Sequence, residues 1–283
     1  MTVTSYVLPT SVAEAVGLLG AHGQDLLVLA GGTIAMPLVN EGVTRPSRVM
    51  GLRRAGMGGI EPGDGGVRIG ATTTLTALAS QDAVPLLATA ARRTASWAVR
   101  NMATVGGNLF SAPRGGDVAT ALLALDAVVQ ATGPGGTRRI PLEAFFTGLM
   151  TTALAPDELV TAIVVPQAPG ASTFIKLGRR LDNTPSVVTV AALLTTEAGS
   201  VTDARVAISG AGPNPRRMAA AEAALAGRAL DEASIGAAAQ AATDAADPLA
   251  DAVASDWYRR RMVGVVVRRA LEELAQDVHG RAA

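Results

Sequence analysis

Apolar residues at 12, 15, 16 and 19 follow helical spacing, and Ser11 and Glu14 ahead of them are set as in a capping box. Gly23 stands where a helix would stop. Short apolar runs at 3–8, 26–29 and 48–52 predict buried strands, so the first 54 residues are expected to form a small βαβ-like unit. The texture then changes. Residues 58–61 and 67–71 flank Pro62-Gly63-Asp64-Gly65-Gly66, and 127–131 and 137–140 flank Gly133-Pro134-Gly135-Gly136, which predicts two hairpins. Between them come a helix over 83–99, a loop over 104–117 and a short apolar helix over 119–125. A buried strand at 159–165 closes this second unit, and the Pro/Gly-rich 166–170 marks a linker.

Beyond the linker, strand-like runs at 173–177, 187–195 and 204–209 precede alanine-rich helical patterns at 216–226, 231–246 and 255–278. That order predicts an α+β unit with a small antiparallel sheet and a helical layer. The expected division is 1–54, 55–166 and 171–283. Trp257 and Tyr258, an aromatic pair on the last helix, are expected in the core. Arg259, Arg260 and Arg261 are expected to form a solvated face or an ion-pair patch.

Composition narrows the chemistry. The 24 basic and 24 acidic residues cancel, so no global field recruits nucleic acid or an anionic membrane. There is no cysteine, which excludes an iron–sulfur cluster held by this chain's own thiolates. Its two histidines, His22 and His279, lie at opposite ends, so no metal site is expected. No apolar run approaches the ~20 residues of a membrane span. The N-terminus does not resemble a signal peptide, and a cytoplasmic protein is expected. Lys176 is the only lysine. Either codon usage left it by chance, or its position wants a compact ammonium rather than a guanidinium.

Two glycine pairs offer candidate binding chemistry. Leu29-Ala30-Gly31-Gly32-Thr33-Ile34-Ala35 follows a predicted strand, where glycines bring backbone N–H groups close to a ligand and can form an anion-binding nest. Thr104-Val105-Gly106-Gly107-Asn108 repeats the logic and adds the Asn108 amide. Either pair alone could be a plain tight turn. Two in neighbouring units could grip a long diphosphate from both sides. Asp117 could equally be a helix N-cap. Neither segment fits a Rossmann or P-loop fingerprint.

These motifs, with Asp117-x-x-x-Ala121-Leu122-Leu123-Ala124-Leu125-Asp126-Ala127, Phe174-Ile175-Lys176-Leu177-Gly178-Arg179-Arg180, Ala211-Gly212-Pro213-Asn214-Pro215-Arg216 and Ser255-Asp256-Trp257-Tyr258-Arg259-Arg260, resemble the FAD-binding medium subunit of molybdenum hydroxylases. The resemblance covers almost the whole chain. It implies a two-part α/β, PCMH-like FAD-binding domain followed by a C-terminal α+β domain. It also implies that residues 29–35, with Thr104, Gly106, Gly107 and Asn108, hold the FAD diphosphate from opposite sides. By the same likeness Asp117 makes a polar contact with the cofactor, the backbone of Val160 lies near the flavin ring, and Lys176 approaches the isoalloxazine, where a cation would raise the flavin potential. A salt-bridged surface lysine is the alternative. The segment Leu181-Asp182-Asn183-Thr184-Pro185-Ser186 departs from the family's pattern, which bears on the acceptor side of the flavin.

The implied function is electron transfer. Non-covalent FAD on this chain would take electrons from 2Fe–2S clusters on a small partner subunit and pass them to an external acceptor. A large molybdopterin-binding subunit would carry the molybdenum cofactor and the substrate chemistry, in a dimer of heterotrimers. No catalytic acid, base or nucleophile on this chain is required. A self-sufficient FAD-dependent oxidase or dehydrogenase, and a cofactor-free assembly scaffold, are the alternatives. The first would need a catalytic cluster near the two glycine segments, and none is evident.

Overall fold

The computed structural model describes residues 3–63, 65–111, 116–180 and 183–282, the side chains of residues 24 and 279–282 excepted. Asp64 of the first predicted hairpin turn, residues 112–115 of the predicted 104–117 loop, Leu181 and Asp182 of the departing segment, and the His279 imidazole lie outside that description.

The first unit runs β1 (Ser5–Val7), α1 (Val12–His22), β2 (Leu26–Leu29), α2 (Ala35–Asn40) and β3 (Arg48–Gly51). Its sheet is parallel, in the order β1-β3-β2. Ser11 caps α1 through the Glu14 amide, and Gly23, at φ 51°, ends it. α1 buries Ala15, Val16 and Leu19 against Met50 and Leu52.

Next come β4 (Ile60–Gly63), β5 (Gly66–Gly70), α3 (Leu75–Ala79), α4 (Pro85–Arg93), α5 (Trp97–Arg100), α6 (Val105–Leu109) and α7 (Asp117–Ala124). They are followed by β6 (Val128–Gly133), β7 (Gly136–Pro141), α8 (Leu142–Phe145), the small hairpin β8 (Phe146–Gly148) and β9 (Thr151–Thr152), and β10 (Leu159–Pro166). Both predicted hairpins form, and β10 joins them into one antiparallel sheet, β4-β5-β10-β6-β7. The helix expected over 83–99 is two helices. Ala95 sits at φ 50°, a left-handed conformation that no helix continues through, and Arg100 donates to the carbonyls of Thr94 and Ala95 to hold that break. The short helices α2, α3 and α6 went unpredicted because each is under two turns and shows no full apolar period.

The C-terminal unit holds β11 (Ala171–Gly178), β12 (Ser186–Glu197), β13 (Ser200–Ser209), β14 (Arg216–Arg217), α9 (Ala219–Leu225), α10 (Glu232–Ala245) and α11 (Asp256–Ala282). Its antiparallel sheet follows chain order. One face, with Val188, Val190, Ala192 and Leu194 of β12, packs on the helices α9, α10 and α11. The other, with Phe174, Ala191, Leu193 and Ala207, joins the core that surrounds α7. The apolar α7 is therefore wedged between the second unit and the C-terminal sheet, and every one of its residues is buried.

Two expectations for α11 are corrected. Trp257 and Tyr258 are exposed, at 67% and 38%, with Arg261 over the Trp257 ring. Arg259, expected at a solvated or ion-pair surface, is wholly buried. Helical periodicity decides both. The turn that points Val263, Val266 and Val267 at the sheet also carries Arg259 inward and leaves the aromatic pair outside. Burial lowers the Arg259 pKa from its ordinary value. Its guanidinium donates to the Val187 carbonyl and to Asp251, the latter at 2.9 Å.

Candidate cofactor site

β2 ends at Leu29, and the chain turns through Gly31 and Gly32 into α2. A Cβ on Gly31 would lie 2.0 Å from the Met102 carbonyl oxygen, so glycine lets the first segment touch the chain leading into the second. The Met36 amide bonds the Gly32 carbonyl at 2.9 Å and starts α2. The amides of Gly31, Gly32, Thr33 and Ile34 have no acceptor among the described residues. Four free N–H groups around a glycine pair, at φ +72° for Gly32, make an anion cradle.

The second segment is built differently from the expected loop. Thr104 caps α6 by accepting from the Gly107 amide at 3.1 Å. Val105 donates to Thr73, Gly106 to Ala71 and Asn108 to the Thr104 carbonyl, each at 2.9 Å. Its amides are thus engaged in the fold, and the cradle lies on one side only. What the segment adds to the cavity is polar side chains: Thr104, Asn108 and, just beyond them, Ser111 line it. Gly106 permits close approach to Ala71, where a Cβ would come within 2.9 Å of its backbone oxygen.

Between the segments lies a cavity of about 670 Å³, within the range that holds cofactors. Leu29, Ala30, Gly31, Gly32, Thr33, Ile34 and Ala35 line one wall, and Thr104, Gly106, Gly107, Asn108, Phe110 and Ser111 line the other. Val160 of β10 lines it too, at a bulge where the pairing with β6 slips by one residue. The apolar lining of Leu52, Leu75, Val99 and Leu154 suits a flat aromatic ring system, and the free amides suit a diphosphate. FAD combines the two, and the residues fit it.

Among the described residues Glu158 is the charged one of the lining. Arg138 grips both its oxygens, at 2.6 and 2.8 Å, and the Ala155 amide adds a third bond at 2.7 Å. These hydrogen bonds, Arg138's first, hold its carboxyl below the usual range. Glu158 therefore shapes the 153–158 wall through bonds already made, and is poorly placed to act as an acid or base. Among the described residues no cluster of His, Cys, Asp and Glu could hold a metal ion.

Asp117 and Lys176 do not line the cavity. Asp117 is the first residue of α7, after the N-cap Gly116, and its carboxylate does not cap the helix. Its Oδ2 accepts from Lys176 Nζ at 2.7 Å, and both side chains are less than a tenth exposed. Its Oδ1 accepts from the hydroxyls of Ser186 at 2.5 Å and Thr189 at 2.9 Å. Lys176 is thus salt-bridged, but in the interior. The cluster lies just behind Asn108: a Cβ on Gly116 would be 1.8 Å from Asn108 Oδ1, which accepts the Ala119 amide at 3.2 Å. Sequence reasoning missed Gly116, Ser186 and Thr189. The pairing of a lone lysine with the acid in the second motif was the available signal.

Gly31→Ala is expected to weaken FAD binding about tenfold, because overpacking costs ~1–3 kcal/mol and here falls on the cradle. Titrating each apoprotein with FAD measures it, and an unchanged affinity would show that the two segments need not touch.

Comparison with known proteins identifies the family. Residues 2–168 match the FAD binding domain in molybdopterin dehydrogenase, and residues 172–274 match the CO dehydrogenase flavoprotein C-terminal domain. The chain is 33% identical to 6-hydroxypseudooxynicotine dehydrogenase complex subunit alpha of Paenarthrobacter nicotinovorans, over 94% of this chain and 92% of that one. It is 31% identical to the carbon monoxide dehydrogenase medium chain of Afipia carboxidovorans, over 94% and 95%. The structure superposes on a chain of carbon monoxide dehydrogenase from Hydrogenophaga pseudoflava with a TM-score of 0.93 and 33% identity, covering 96% of this chain and 97% of that one. The chain belongs to the family of FAD-binding subunits of molybdopterin dehydrogenases, an oxidoreductase component with FAD as its cofactor.

Proposed function

We propose that this chain is the electron-transfer subunit of a molybdenum hydroxylase complex. It takes electrons from 2Fe–2S clusters on a small partner subunit and delivers them to an external acceptor, while a large molybdopterin-binding subunit oxidises the substrate. The complex is proposed to be a dimer of heterotrimers in the cytoplasm. Among the described residues no helix is long and apolar enough to cross a membrane. The observation that carries the reading is the cavity itself. It has a cradle of free amides and an apolar lining, and its carboxylate is already engaged by Arg138.

FAD supplies the redox chemistry when bound. The chain's own residues bind, orient and shield it. Gly31 to Ile34 would hold the diphosphate through their amides, with Thr33, Thr104, Asn108 and Ser111 adding side-chain donors. Leu52, Leu75 and Val99 would exclude water from the ring. Val160 would present its backbone, and the Asp117–Lys176 pair would set the field behind the site. The binding is proposed to be non-covalent. The functional units are proposed at 1–54, 55–166 and 171–283, a division supported at the linker by an apolar cluster made wholly of residues beyond 170.

The test is to purify the chain with the chains it assembles with and reduce the clusters of the complex selectively. The flavin absorbance should bleach as the clusters are reoxidised. Clusters that stay reduced beside oxidised FAD would overturn the proposal.

A further inference from the structure

We infer that Ser186, held in place by a bulge in β12 that Arg259 braces, is a positioning residue of the cofactor site, acting through Asp117 on Lys176. The β11–β12 register sets Lys176 directly opposite Thr189, on the sheet face that packs towards α7 with Ala191 and Leu193. Regular alternation would turn Ser186 to the other face, with Val188 and Val190. The pairing instead passes from Leu177↔Val188 to Gly178↔Ser186 and skips Val187. Val187 and Val188 both pack on the helical side, and Ser186 emerges beside Thr189. Bulges near functional sites re-aim a side chain in this way.

The bulge is braced from behind. Arg259 sends one arm to the Val187 carbonyl and the other to Asp251. Gly210, at φ +86°, gives the same carbonyl room, since a Cβ there would be 2.3 Å from it. A line of contacts therefore runs from α11 through Val187 and Ser186 to Asp117 and Lys176. Ser186, the first residue of β12, is also where the departing sequence ends.

The two hydroxyls share the charge of Asp117 Oδ1, leaving the Lys176 ammonium only partly neutralised by Oδ2. Two electrons and one proton turn oxidised flavin into an anion, which a positive field favours. Without the Ser186 hydroxyl the carboxylate would draw more strongly on Lys176, and that field would weaken. This inference rests on the proposal that the Asp117–Lys176 pair sets the field behind the flavin site.

The experiment is a redox titration of the FAD-loaded chain as wild type, Ser186→Ala, Thr189→Val and Ser186→Thr, with FAD affinity measured on each apoprotein. Ser186→Ala and Thr189→Val are expected to lower the preference for reduced over oxidised FAD by about threefold to tenfold, or roughly 15–30 mV at ~30 mV per tenfold for a two-electron couple. Ser186→Thr, which keeps the hydroxyl, should restore the wild-type potential. A loaded Ser186→Ala chain with unchanged potential would overturn the inference, as would a Ser186→Thr shift as large as that of alanine. A wild-type chain that takes up no FAD would instead overturn the site on which it rests.

Discussion

Gly107→Asp should purify folded and without FAD. A Cβ at Gly107 would sit 2.9 Å from Thr104 Oγ1 and 3.9 Å from the Ala30 methyl, so it points across the cleft towards the cradle. The Thr104 hydroxyl can rotate aside, and the bulk of a methyl group is tolerable. A carboxylate is a different matter. It would compete for the free amides of Gly31 to Ile34 and stand beside the diphosphate. Like charges about 5 Å apart at an effective dielectric near 20 repel by roughly 3 kcal/mol, more than a hundredfold in affinity for one phosphate charge alone. Gly107→Ala, with the volume but no charge, should retain most of its FAD. Flavin content and thermal midpoint of the three chains measure this. Full flavin in Gly107→Asp would mean that the diphosphate does not pass this residue.

Lys176→Met is the second large effect, and here it falls on stability. The structure shows the ammonium as the counter-ion of a buried carboxylate, which methionine would leave facing two hydroxyls. Breaking a buried pair on one side costs ~3–5 kcal/mol, a large share of a domain's stability. Removing the second charge as well, in Lys176→Met with Asp117→Asn, should recover part of the loss, because the neutral amide oxygen still accepts from Ser186 and Thr189. Denaturant midpoints of the four chains give the coupling. A single variant as stable as wild type would show that the pair is solvated. In the fraction of Lys176→Met still carrying FAD, the midpoint potential should fall.

The large features were legible because long periodic patterns declare themselves. The strands at Leu26–Leu29 and Leu159–Pro166, both glycine-turned hairpins and the three-helix layer of the C-terminal unit all follow from apolar spacing and turn chemistry. The glycine pairs marked both walls of the cavity. Their division of labour was not legible. Whether an amide is free depends on what its neighbours accept, and the carbonyls of Ala71 and Thr73 that engage the second segment lie some thirty residues away. Ser186 was hidden by a bulge, which shifts the facing of a strand without any compositional mark. Arg259 stood in a run of three arginines that looks uniformly solvated, and only the rotation of α11 separates it from Arg260 and Arg261.

The most direct measurement of the central claim is the flavin stoichiometry of the purified chain, followed by acid or heat denaturation. One FAD per chain, bound by the folded protein and wholly released into the supernatant on denaturation, is the expected result. A folded chain that cannot be reconstituted with FAD would contradict the account of the cavity, and flavin that stays with the denatured polypeptide would contradict non-covalent binding.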